Sequence, residues 1–281
     1  MLTGAGPSSS RRGLLTGAVA GAASLTGCSD PPAEVPGTSV ARSSYGADAS
    51  QHGELYLPDG APEATVVVLH GGFWLAEYRA DATRPMSEAL RAEGFAVWNL
   101  EYRRLDAGGG WPATFRDVAA GIDHLATVDG VDTADVRLVG HSAGGQLAVW
   151  AASRRGRTPG GRSAVTVTRC VSLAGVLDLS TAATSGLGSG NVDRLMGGSP
   201  TLVPQHYRDG DPALLVPAGC PVACVVARDD QTVPRTQATA YVAAARGAGA
   251  AVSLDEVPGD HFAVIDPTSA PWATVLRLLR G

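Results

Sequence analysis

A serine hydroxyl is a poor nucleophile at neutral pH. A chain that uses one must expose it on a strained turn, set a base beside it and supply donors for the oxyanion that forms. Residues of the right types stand in a suitable order here. Ser142 lies in Gly140-His141-Ser142-Ala143-Gly144-Gly145, Asp230 in Arg228-Asp229-Asp230-Gln231-Thr232-Val233-Pro234, and His261 in Pro258-Gly259-Asp260-His261-Phe262. Glycines two before and two after Ser142 let the backbones pass without a side-chain clash, and nucleophile, acid and base follow in that chain order. A glycine-rich turn with a capping serine is the bland reading of the same letters.

His261 is the only histidine downstream of Asp230, whereas His52, His70, His124 and His206 precede it. His141 fills the variable position of its run and is not counted as the base. Asp230 is the preferred acid; Asp229 could exchange roles with it, and Asp178, just past the preceding strand, is a further candidate. Helix capping is the alternative use of these aspartates. Upstream, His70-Gly71-Gly72-Phe73-Trp74 turns the chain inward, so the N–H of Gly72 or Phe73 can join that of Ala143 in facing an oxyanion. The chemistry so assembled is acyl transfer. No metal or organic cofactor is implied, because no His/Cys/Asp cluster has ligand spacing and no Gly-x-Gly-x-x-Gly opens a helix after a strand.

These residues need a scaffold that brings distant loops together. Short Val- and Leu-rich runs predict strands at 54–57, 65–69, 96–101, 136–139, 170–173, 222–227 and 252–257. Between them, Ala-rich segments of helical period predict helices at 82–92, 113–126, 143–153, 235–246 and 272–279. Strand and helix alternate as in a mostly parallel, doubly wound sheet covered by helices. Ser142 then falls between a strand and a helix. Residues 175–219 break the rhythm with Gly, Ser and Pro, and are either a small cap over the carboxyl ends of the strands or a surface excursion.

The formal net charge is -5, and every cation is arginine, with no clustered stripe for a phosphate backbone; nucleic acid is excluded as a partner. Residues 1–28 read as an export signal. Arg11-Arg12 precedes an apolar stretch shorter than the roughly 20 residues a membrane helix needs, and resembles a twin-arginine leader. Leu25-Thr26-Gly27-Cys28 resembles a lipobox, making Cys28 the lipidation site and the membrane anchor, with residues 29–50 as a flexible tether. The catalytic domain then covers 51–281. Of the remaining cysteines, Cys170, Cys220 and Cys224, an odd number cannot all pair; a Cys170–Cys220 bridge is one option and buried, unreactive thiols the other.

With those residues in hand, the chain resembles the α/β-hydrolase subgroup that includes arylformamidase (kynurenine formamidase) and the feruloyl-esterase-like hydrolases. The elements that carry the resemblance are His70-Gly71-Gly72-Phe73-Trp74, Glu101-Tyr102-Arg103-Arg104, Gly140 to Gly145, Asp230-Gln231-Thr232-Val233-Pro234 and His261-Phe262, within a stretch from Gly53 to the C-terminus. The resemblance implies an α/β-hydrolase fold, a substrate that is a small carboxylic ester or an N-formyl aryl amide, and a place for Trp74 beside the substrate. A leader that points outside the cell favours an extracytoplasmic esterase over a formamidase. The reading from a different class is a surface binding protein on a hydrolase scaffold that has lost catalysis; such proteins usually lack a triad member, and here none is missing.

Overall fold

The strands expected from the apolar runs all form, and their order explains how separated loops meet. The computed structural model describes residues 40–281; Arg11-Arg12, Cys28 and the first part of the expected tether lie outside the described residues. The strands are β1 (Val40–Ser44), β2 (His52–Tyr56), β3 (Thr65–Leu69), β4 (Ala96–Leu100), β5 (Val136–His141), β6 (Val167–Leu173), β7 (Val222–Ala227) and β8 (Val252–Val257). They make one sheet in the order β1-β2-β4-β3-β5-β6-β7-β8. Every pairing from β4 to β8 is parallel, while β2 runs antiparallel to both neighbours. The architecture is thus a mostly parallel sheet with flanking helices.

All five residues of β3 and all five of β4 are buried, as strands covered on both faces require. Alternate residues of β3 feed two different cores. Val67 and Leu69 pack with Trp98, Phe115 and Trp150, whereas Val66 and Val68 pack with Met86, Leu90 and Leu279. The helices that cover these faces are α1 (Arg84–Ala92), α2 (Ala113–Asp123), α3 (Ala143–Ala152), α7 (Thr236–Gly247) and α8 (Trp272–Arg280). Among the described residues no helix is long and apolar enough to cross a membrane.

Two expectations need correction. Residues 40–50 are not free tether: β1 pairs with β2 from Val40↔Tyr56 to Ser44↔His52, and the Tyr45 hydroxyl donates to the Glu101 carbonyl at 2.7 Å. This edge strand has no buried face, so it carries no apolar alternation for the sequence to display. Residues 175–219, expected to be either a small cap or a surface excursion, are partly helical. They form α4 (Leu179–Thr184), α5 (Asn191–Met196) and α6 (Pro204–Gly210). Buried Asp211 gathers this segment by accepting from the Leu179 N–H at 3.0 Å and from the Ser180 N–H and hydroxyl at 2.9 and 2.7 Å. Helices of six or seven residues are too short to show a helical period. The three thiols are free; Cys170 sits inside β6 rather than opening it, and burial pushes Cys220 and Cys224 up to about 12.

Candidate active site

Strand order decides where the site lies. β3 is flanked by β4 on one side and β5 on the other, so the chain leaves the sheet in opposite directions around it and opens a crevice at the carboxyl ends. Leu69 pairs with Gly140 across that junction, which brings the loop after β3 against the turn after β5.

The turn is as tight as the glycine spacing requires. A Cβ on Gly140 would lie 2.1 Å from the Gly144 carbonyl oxygen, and one on Gly144 would lie 2.1 Å from that of Leu69. Between them Ser142 adopts φ 55° and ψ -118°, a conformation that costs a non-glycine residue about 1–3 kcal/mol. Its N–H donates to Leu173 of β6 at 2.8 Å and its carbonyl accepts from Gln146 at 3.1 Å, so sheet and helix over-determine it. Ala143 opens α3, where the first N–H groups have no partner within the helix.

The loop after β3 continues through three positive φ angles, 103° at Gly72, 48° at Phe73 and 59° at Trp74. Trp74 is fully buried and its indole N–H donates to Gln146 at 3.2 Å, while its carbonyl accepts from Leu105 at 2.7 Å. Trp74 therefore does not line the pocket that holds Ser142, contrary to the place beside the substrate expected for it; Phe73 lines that pocket, and the Trp74 indole anchors the loop.

Behind the loop lies a buried polar knot. Glu101, only 4% exposed, accepts from His70 Nε2 at 3.2 Å, the Tyr102 N–H at 2.9 Å and the Ala80 N–H at 3.1 Å, and pairs with the Arg104 guanidinium. Burial alone would raise this carboxyl; the bond and charge of His70, then Arg104 and the Tyr102 N–H, outweigh burial and hold it at about 2. The Tyr102 hydroxyl donates to the His70 carbonyl at 2.8 Å, with the two rings stacked 4.3 Å apart. Glu101-Tyr102-Arg103-Arg104, legible only as a motif, thus fixes the start of the glycine loop.

From the other end of the sheet, His261 Nδ1 lies 2.7 Å from Asp230 Oδ2, with both side chains buried. The other Asp230 oxygen accepts from the Thr232 and Val233 N–H groups at 2.7 and 2.9 Å. A carboxylate can only accept, so Nδ1 carries the proton and Nε2 is the ring's basic nitrogen. Asp229 is exposed, and Asp178 caps α4 through the Thr181 N–H and hydroxyl at 2.9 and 2.7 Å. Neither of these alternatives meets His261.

Ser142 and His261 line one pocket of about 330 Å3 with Gly71, Gly72, Phe73, Tyr78, Ala82, Thr83, His141, Thr232, Phe262 and Ile265. Its lining carries no Asp, Glu or Arg. No residue of 175–219 lines it, so the expected cap supplies none of the wall, although Gly188 lies against the Phe73 ring. Tyr78 comes from the stretch before α1, and Ala82 and Thr83, expected at the start of a helix over 82–92, lie instead in the 3-10 turn Ala80–Thr83 that leads into it. A larger polar cavity of about 420 Å3 lies on the far side of that stretch, between Arg42, Arg79 and Glu101, and is lined by neither Ser142 nor His261.

A mostly parallel sheet of eight strands with a serine on a positive-φ turn between β5 and α3 defines an α/β-hydrolase. The chain belongs to the BD-FAE family, whose model matches residues 54–244. Solved structures of similar fold include a truncated form of a carbohydrate esterase from gut microbiota, with TM-score 0.71 and 22% identity over 84% of this chain and 92% of that one. Esterase B from Lactobacillus rhamnosis gives TM-score 0.72 and 23% identity over 86% and 84%. An acetyl ester-xyloside bifunctional hydrolase from Caldicellulosiruptor lactoaceticus gives 0.63 and 21% over 80% and 85%. Comparison with curated proteins gives no match. The arylformamidase side of the resemblance is not singled out by any of these.

Proposed function

We propose that the chain is a serine esterase acting on small, uncharged carboxylic esters. The observation that carries the reading is the 2.7 Å pairing of His261 with Asp230 in the pocket that holds Ser142. His261 Nε2 takes the hydroxyl proton as Ser142 Oγ bonds to the acyl carbon, and Asp230 stabilises the imidazolium. The oxyanion accepts from the Ala143 N–H and from that of Gly72 or Phe73. The C–O bond to the alcohol then breaks, the leaving oxygen takes the proton from His261, and water releases the acid by the same route.

The pocket lining also separates ester from formamide. N-formylkynurenine carries an amino-acid ammonium and carboxylate, and burying either without a partner is costly. Beside Ser142, the two glycines and the imidazoles of His141 and His261, the wall is made of Phe73, Tyr78, Ala82, Thr83, Thr232, Phe262 and Ile265, with no Asp, Glu or Arg to pair with either ion. The esterases among the structural relatives support the same choice. On purified protein, kcat/KM for p-nitrophenyl acetate or butyrate is expected to exceed that for N-formylkynurenine by about 100-fold, the effect of roughly 3 kcal/mol of unpaired charge. The reverse ranking would replace this reading with the formamidase one.

We further propose export and anchoring through Cys28. Lipidation of that thiol would place the esterase on the outer face of the membrane, tethered by the residues before Val40. Cys28→Ser is expected to move the protein from the membrane fraction to the soluble fraction of cells, with specific activity unchanged; retention in membranes would refute the anchor.

A further inference from the structure

His141 stands beside the nucleophile and is passed over by the mechanism above, yet it is 5% exposed and tied to two other loops. Its Nε2 lies 2.8 Å from the His261 carbonyl oxygen, across 120 positions of sequence. A carbonyl can only accept, so Nε2 carries the hydrogen. Burial first, and the neighbouring His261 second, lower the imidazole to about 4, which keeps it neutral and able to donate at neutral pH. Its ring centroid is 4.6 Å from that of His261. On the opposite side, a side chain added at Gly71 would begin 2.9 Å from His141 Nδ1.

The topology explains why such a tie matters. His261 follows β8, the edge of the sheet, while Ser142 follows β5, three strand spacings or about 14 Å away. The base loop is held to the loop after β7 by the Arg228 N–H to Val257 and the Asp229 N–H to Gly259 at 2.9 and 3.0 Å, and by the Asp230 pair. Its bonds through Asp260 to Phe262 and Ala263 stay inside the loop. Among the described residues, His141 supplies the one hydrogen bond from the base loop to the nucleophile turn.

We propose that His141 is a positioning residue: by donating to the His261 carbonyl while packed against Gly71, it holds the base loop, the nucleophile turn and the oxyanion loop in one register. The inference rests on the esterase reading. A shift of about 1 Å between base and nucleophile costs on the order of 100-fold in rate. His141→Leu should therefore lower kcat on p-nitrophenyl butyrate by about that factor with KM nearly unchanged, the mark of an interaction that serves the transition state.

The deciding comparison is His141→Gln against His141→Asn, with the unfolding temperature of each measured. A glutamine amide reaches the position of Nε2 and should restore most of the rate, whereas the shorter asparagine should not. Equal kcat in the two folded variants would overturn the inference, as would a leucine variant with wild-type kcat. If His141→Leu fails to fold, the Gln and Asn pair still decides. Fluorophosphonate labelling of the wild type separates the two levels: no labelling at Ser142 overturns the esterase reading and this inference together, while labelling with indifferent His141 variants overturns this inference alone.

Discussion

Ser142→Ala is expected to lower kcat on a p-nitrophenyl ester by about 10⁶-fold and to abolish fluorophosphonate labelling, with the fold intact. Ser142 enters the described hydrogen bonds through its backbone, and alanine can be held in the same strained turn by the same partners. His261→Ala should cost about as much, and the double variant little more, because nucleophile and base act as a unit. Asp230→Asn should cost about 10⁴-fold by favouring the wrong imidazole tautomer. Asp229→Asn and Asp178→Asn should stay within about twofold, because neither carboxylate meets His261: Asp229 is exposed, and Asp178 is half-buried as the cap of α4. An Asp178→Asn variant as damaged as Asp230→Asn would displace the acid assignment, and wild-type activity in Ser142→Ala would displace the nucleophile.

The second large effect is on stability. Glu101→Ala is expected to destabilise the protein by about 3–5 kcal/mol, because it leaves the buried Arg104 guanidinium without its carboxylate. Arg104 is 3% exposed and its Nε already lacks a partner, so no other group stands ready to replace Glu101. Glu101→Gln keeps the shape and removes the charge, which isolates the electrostatic part. The folded-state pKa near 2 lies below the ordinary 4.5, so the ionised carboxylate contributes stability that is complete above pH 4.5 and lost as pH falls through 2. That contribution is about 3 kcal/mol. Urea unfolding of wild type and Glu101→Gln should therefore differ most at neutral pH and converge between pH 4.5 and 2. A difference that is flat with pH would show that Glu101 acts through shape alone. Because the same carboxylate seats His70, both variants should also lose kcat.

Some of the site is legible in local sequence because local sterics dictate it. Only glycines allow the backbone approach at 140 and 144, so the turn around Ser142 announces itself in letters. The buried parallel strands do likewise, since burial on both faces demands continuous apolar runs such as Thr65–Leu69. Chain order after the strands is enough to single out His261 as the candidate base and to narrow the candidate acid to three aspartates.

Other features depend on contacts between residues far apart in sequence, which no local pattern encodes. Asp230 is distinguished from Asp229 and Asp178 by a 2.7 Å contact formed only when β7 and β8 lie side by side. Trp74 looks like a substrate contact in its motif, and becomes a buried anchor because Gln146 on α3 and Leu105 reach it. β1 hides in an apparent tether because an edge strand needs no apolar face. His141 reads as filler in the variable slot of the turn, and acquires a partner only through the packing of the base loop. The amino-acid sequence by itself determined the tight turn around Ser142 and the layered sheet, since these follow from the space and burial each residue needs. Tertiary structure alone decided which aspartate pairs with His261, the pocket wall and the ties between loops, since these follow from which distant groups the strand order brings within hydrogen-bonding distance.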